Sequence, residues 1–546
     1  MAHVQGSAHL AFDPPGPGSW LLDAVHMPRP FSRYHGTLFP SAMFAGFSEC
    51  CSRYGLLLDG LQYSMVRGLG YFQVIPAEPE SVPERFGKAE KALASKLWRS
   101  DLDRWDREVK PAAVKQHMAL QAIDPSKLSD EELGHHIERC TEHLSRMVKQ
   151  HHAFNAAAML PVGDFIASVS EWTGLPPSAF MPVLRGFSPV SAGHLGELDQ
   201  LVAAIRANPQ ALALLASSAE PGDILARLRS APGDVGAAAT AYLDIVSYRL
   251  LDSLDLGDAT AIEVPEVLVS SLRMAVDKGA PDSSHAGRAE VEKLRERVPA
   301  EHRANFDELL EEARHMSRMR DERGLYSDVW AAGIARRALL ELGNRLVAQG
   351  RLHEATHIVG CDPDEVRALL SGATSPGADE LAERADDRAS LHASDAPPFL
   401  GEPPHGPPPL DGLPPAVARL MRAMGTAVGA LFEPSQATSD AGTVRGTSAS
   451  PGTHTGIARV INGPAEFGRL QQGDVLVTAT TTEAFNIVLP LIGALVTDTG
   501  GLLSHAAIVS REYGIPGVVG CKVATSQIKD GARITVNGTT GEITPA

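Results

Sequence analysis

The sequence predicts a multi-domain protein, with a mostly α-helical domain followed by a small α/β domain. Three observations carry this. A chain of 546 residues is too long for one hydrophobic core. Apolar residues recur at helical spacing through residues 1–390. From residue 445 onward the pattern changes to short β-rich runs bounded by turn residues.

In the first domain, 1–390, an irregular start gives way to helices. "LSDEELGHHIERCTEHLSRMVKQHHAF" reads as one, with Ser129 as N-cap and Glu132 three residues on. His136, Cys140 and His143 stand at i, i+4 and i+7 on it. That spacing imitates a metal site, but ordinary surface is the plainer reading on a helix rich in Glu and Lys, and no metal is assigned to the chain. Alanine-rich helices follow near 201–245. In "DVWAAGIARRALLELGNRLVAQGRL", Trp330, Ile334, Leu339, Leu342 and Leu346 fall on one face, and Arg336, Arg337 and Arg345 fall elsewhere.

Composition turns to Pro, Gly, Ala and Asp from residue 371, and 391–444 reads as a Pro/Gly-rich linker holding one short helix, "AVARLMRAMGTAVGALF". It is expected to be poorly packed. The second domain, 445–546, contains "GIARVI", "DVLVTA", "GALVTD", "GVVG", "ARITVN" and "GEIT". Asn462-Gly463, Gly473-Asp474, Asp530-Gly531 and Asn537-Gly538 punctuate them.

The net charge of −17 argues against nucleic acid or anionic membrane as a partner. No run of eighteen apolar residues predicts a membrane span, and the first residues do not read as a secretory signal. Five cysteines in so long a chain read as reduced thiols, and a cytoplasmic location is expected.

"TDTGGLLSHAAIVSREYGIPGVVG", 497–520, carries the chemistry. A buried-type strand runs into Gly500-Gly501, and Ser504 is a natural N-cap, which puts His505 in the first turn of a helix ending at Gly514. Backbone N–H groups and the positive end of the helix dipole gather there, so the position favours phosphate and lowers the imidazole pKa. Gly500 and Gly501 would admit a bulky phosphorylated group. A neutral histidine so placed suits a nucleophile that carries phosphoryl as a phosphoramidate. A histidine that merely opens a helix is the plain alternative.

"GGLLSHAAIVSREYGIPGVVG" resembles the phosphohistidine motif of the PEP-utilising enzymes, and "GTSASPGTHTGIARVI", "GDVLV" and "KDGARITVNGTTGEI" agree with that family's flanks. The resemblance implies a swivelling domain in which His505 is phosphorylated, with Gly500, Gly501 and Ser504 supporting the phosphate. Glu483 stands where relatives often have proline, and Asn537 where they often have aspartate. "FDPPGPGSWLLDAVHMPRPFSRY" and "ARHMSRMRDERGLYSDVWAAGIARRALLELGNRLVAQGRL" resemble the acceptor region of the rifampin phosphotransferase and phenylphosphate synthase group. No GxxxxGK[ST] loop occurs, and upstream of the helical region there is no room for an ATP-grasp domain. The resemblance therefore implies a separate ATP-grasp subunit as partner, with ATP and Mg2+ bound there. Phosphoryl would pass from His505 to the hydroxyl of a small phenolic acceptor. An antibiotic-like or other alcohol is the alternative acceptor, and a non-enzymatic phosphocarrier the alternative class.

Transferred phosphoryl needs matching positive charge. Arg29, Arg33, Arg318, Arg320, Glu322 and Arg337 lie in the resembling segments, although an arginine there is as readily a structural ion pair. His151 and His152 are the candidate general bases, with His26, His35 and His315 also available.

Overall fold

The computed structural model describes residues 12–187, 196–251, 254–278, 287–404, 406, 409–432, 442–482, 485–486 and 488–546. What reads in sequence as an irregular start is a sheet. Strands β1 (Ser19–Leu22), β2 (Leu58–Val66), β3 (Leu69–Pro76) and β4 (Phe399–Gly401) pair antiparallel in the order β2-β3-β1-β4. Arg67 and Gly68 join β2 to β3 with φ of 53° and 80°. Two left-handed residues make the turn that matches strand twist.

Six long helices build the rest of the core: α1 (Arg33–Tyr54), α2 (Asp130–Ala153), α3 (Asn155–Thr173), α4 (Arg303–Leu325), α5 (Asp328–Ala348) and α6 (Pro415–Phe432). Ser129 and Glu132 form a reciprocal capping box on α2. The apolar face of α5 is buried as expected, but Arg336 is buried too. It pairs with Glu263 at 2.8 Å and donates to the Leu256 carbonyl. Residues 254–263 cover the side of α5 that a surface helix would leave to water. Likewise His136, Cys140 and His143 are not surface but fully buried. They do not converge: Cys140 Sγ lies 3.7 Å from His136 Nε2, while His143 turns away to His117 at 2.9 Å. By composition Asp130–Thr173 is apolar enough to cross a membrane, yet 89% of its most apolar window is buried inside the protein.

The linker expectation is corrected. Leu391, Ala393 and Leu400 join Trp20, Leu69 and Tyr71 in a small core, and β4 extends the first sheet. Helix α6 packs on α3 so closely that a Cβ on Gly163 would lie 2.0 Å from the Ala423 carbonyl oxygen. Strand pairing and one tight helix crossing overcome a composition that alone predicts a loose segment. The helical domain thus extends to Phe432, and 433–443 join it to the next strand. Parts of "GEPPHGPPP" lie outside the described residues.

The second domain holds one eight-stranded sheet in the order β5-β12-β11-β7-β8-β9-β10-β6. Its strands are β5 (Val444–Arg445), β6 (Thr447–Ser450), β7 (Thr453–Val460), β8 (Val475–Thr478), β9 (Ala494–Thr497), β10 (Gly517–Val519), β11 (Arg533–Asn537) and β12 (Glu542–Pro545). Strands β7, β8, β9 and β10 run parallel at its centre. Helix α7 (His505–Tyr513) crosses from β9 to β10. A continuous apolar cluster joins residues of this domain, including Phe467, Leu476 and Leu495, to helical residues Leu201 through Leu272.

Candidate functional site

His505 sits at the carboxyl ends of the parallel strands, where open α/β sheets place ligands. Strand β8 leads to Thr481, and β9 leads through 498–504 to His505. Ser504 caps α7, its hydroxyl accepting from the Ala507 N–H, and Gly514 closes the helix with φ of 65°. Gly500 takes φ of 100°, and Ser504 N–H donates to the Gly501 carbonyl. The buried Arg511 guanidinium ties the loop to its own domain through the Leu502 carbonyl at 2.8 Å and the Ala449 carbonyl at 3.1 Å. Sequence reading misses two residues here: Thr481 lies outside the motif, and Arg511 lies within it but its carbonyl partners do not show in the sequence.

Thr481 Oγ1 lies 2.9 Å from His505 Nδ1. Nε2 is buried and has no hydrogen-bond partner. Burial holds the imidazole pKa down at about 4; the Asp321 carboxylate opposes this, and the Arg320 guanidinium adds to it. At neutral pH the ring is uncharged, and in the tautomer that donates Nδ1–H to Thr481, Nε2 bears the free lone pair. Asn537 accepts from Thr539 and Thr540 N–H in the β11–β12 turn, away from this ring. Glu483 lies outside the described residues.

Of the six charged candidates in the helical domain, Arg320 is the one whose charge reaches His505. All six are engaged by other groups of the protein. Arg29 meets Asp258 at 3.6 Å, and Arg33 meets Asp362 at 2.9 Å. Arg318 pairs with Asp106 and with Glu322. Glu322 also accepts from Trp105 and Lys110. Arg337 donates to the Gln121 carbonyl at 2.8 Å. These five thus take part in ion pairs or hydrogen bonds that hold helices together.

One turn beyond Arg320 on α4, the buried Arg323 donates to Asn155 Oδ1 at 3.1 Å and to the Arg320 carbonyl at 2.7 Å. Its charge is felt by His151, which lies against Gly324: a Cβ there would be 3.3 Å from His151 Cε1. His151 Nδ1 lies 2.8 Å from Asp328 Oδ2. Burial holds His151 well below the usual imidazole range and pushes Asp328 up to about 6. Above that value the carboxylate accepts the Nδ1 proton, leaving Nε2 as the basic nitrogen. His152 is used otherwise, with Nδ1 on the Val148 carbonyl at 2.8 Å and its ring stacked on His151. His315 is exposed, and His35 is enclosed beside Phe31.

A second histidine–carboxylate pair lies near His151. His26 Nδ1 lies 3.0 Å from the buried Asp23, which also accepts from Tyr63. The His26 charge is felt at His151. His26, Phe432, Phe72 and Tyr63 form a chain of rings with centroids 5.2, 5.5 and 5.4 Å apart. Segments 23–26, 63–72, 151, 320–328 and 430–432 come together only in the fold, which is why sequence singles out so few of these residues.

Residues 470–541 match the mobile domain of the PEP-utilising enzymes. The chain carries that domain. Residues 151–331 match the fourth domain of rifampicin phosphotransferase. The chain is 32% identical over 246 residues to an uncharacterized phosphotransferase, YvkC, of Bacillus subtilis, covering 44% of this chain and 27% of that protein. It is 29% identical over 392 residues to a rifampicin phosphotransferase of a Streptomyces species, covering 69% and 42%. Over 98 residues it is 47% identical to a probable phosphoenolpyruvate synthase of Archaeoglobus fulgidus, 18% of this chain and 13% of that one. The chain thus spans less than half the length of each of these relatives. These matches place a phosphohistidine-type domain in residues 470–541 and a likeness to a phosphotransferase domain in residues 151–331.

Proposed function

We propose that His505 carries a phosphoryl group on Nε2 and passes it to the hydroxyl of a small phenolic acceptor held in the helical domain. The observation that carries this reading is the neutral His505 ring, with Nδ1 on Thr481 and Nε2 unpartnered, within the field of Arg320. The phosphoryl comes from ATP with Mg2+ on an ATP-grasp unit, which we place on a partner polypeptide. In transfer to the acceptor the P–N bond to Nε2 breaks and a P–O bond forms. The acceptor's proton goes to His151 Nε2, which Asp328 orients. Arg320 and Arg323 balance the charge on the moving group. The rings of His26, Tyr63, Phe72 and Phe432 suit an aromatic acceptor.

The likeness to rifampicin phosphotransferases favours a second acceptor class, an antibiotic-like alcohol. The five free cysteines suit a cytoplasmic setting. The test is to phosphorylate the full chain with phosphoramidate and add phenol, a phenolic panel or rifampicin. Loss of phosphoryl from His505 with formation of an aryl phosphate supports the phenolic reading. A rifampicin phosphate instead moves the chain to the second class. Phosphohistidine stable to all acceptors overturns both.

A further inference from the structure

We infer that the phosphohistidine loop docks on the helical domain by capping the open carbonyl end of α6, and that Gly501 is the residue that permits this docking. The inference rests on the carrier reading above for its purpose, but not for its test.

A helix leaves its last four carbonyls without intrahelical donors. Many helices satisfy them with a glycine just past the end. Two of the last carbonyls of α6 take donors from the other domain. Gly501 N–H donates to the Leu431 carbonyl and Leu503 N–H to the Ala430 carbonyl, each at 3.1 Å. Leu502 and Leu503 bury their side chains in the helical domain's core cluster.

The approach leaves no room for a side chain at 501. A Cβ there would lie 2.3 Å from the Ala430 oxygen, 3.0 Å from its carbon and 3.1 Å from the Leu431 oxygen. The backbone of α6 cannot yield, because Gly163 locks it against α3. The loop is equally held on its own side, by Arg511 on the Leu502 carbonyl. Gly500, by contrast, meets only Ser504 of its own loop. The two glycines therefore differ in use: Gly500 shapes the loop, and Gly501 fits it to the partner domain. This replaces the expectation that Gly501 admits a phosphate.

The docking point adjoins the acceptor space. Phe432 follows directly on Leu431 and meets His26 edge-on at 5.2 Å. His505 follows Gly501 by four residues. Seating the loop on α6 sets the carrier and the aromatic wall in one register. When the domain leaves, the freed amides and carbonyls meet water, so the contact is reversible.

The test is hydrogen exchange on the full chain with Gly501→Ala. Exchange in 499–504 and in 425–432 should rise together, by about tenfold or more, while strands β8 and β9 keep wild-type protection. Leu503→Ala keeps the backbone donors but trims the apolar contact, and should raise both segments by a smaller factor. It serves if Gly501→Ala unfolds the domain. Unchanged exchange in 425–432, or a rise confined to 499–504, overturns the docking. A correct docking with no acceptor turnover would leave this inference standing and sink the function reading.

Discussion

His505 and His151 are both uncharged, enclosed imidazoles, and each has Nδ1 engaged so that Nε2 remains. They differ in the partner. His505 holds a threonine hydroxyl, which does not titrate, at the end of a parallel strand. His151 holds a buried carboxylate that takes up a proton near pH 6. A hydroxyl fixes the ring without adding charge, which suits a nucleophile that must accept and release phosphoryl. A carboxylate fixes the ring and stabilises the imidazolium that a base becomes. On the proposed reading, the difference separates a carrier from a proton acceptor in one reaction.

The largest expected effect breaks that comparison outright. His505→Ala should abolish phosphoryl labelling, while His151→Ala should leave labelling intact and slow transfer to the acceptor by about 10²–10⁴-fold. Phosphoramidate labelling followed by acceptor release measures both. Equal loss of labelling in the two variants would show that they share one role. If His26→Ala slows transfer and His151→Ala does not, the base is the Asp23-paired histidine.

A smaller effect sharpens the comparison by pH. The raised pKa of Asp328 means that the proton is taken up as pH falls through about 6, so the base is present above that value and lost below it. His505 stays neutral down to about 4. Transfer should therefore fall between pH 7 and 5 while labelling holds, and Asp328→Asn should remove the inflection. A common inflection for both half-reactions would refute the assignment of Asp328.

The smallest effect concerns Thr481. Thr481→Val removes the Nδ1 partner and should slow labelling roughly 3–10-fold, the worth of about one net hydrogen bond. Complete loss would mean that Thr481 acts on the phosphoryl group itself.

The sequence by itself determined the local pieces. Helix periodicity located α5, capping residues located the starts of α2 and α7 and the end of α7, and one motif singled out His505. Each of these is written within a few turns of chain, where spacing and end chemistry act. It did not reveal that Leu391, Ala393, Leu400 and helix α6 are packed, because β4 gains stability from β1, far away in sequence. Nor did it separate Arg320 from five other charged candidates. Which arginine lies near enough for its charge to act on His505 depends on helices brought together by core burial. His151 and Asp328 lie 177 residues apart, and Gly501 and Leu431 belong to different domains. Only the tertiary structure decided those meetings, because a side chain's pKa and partners are set by what is packed around it, not by its neighbours in the chain.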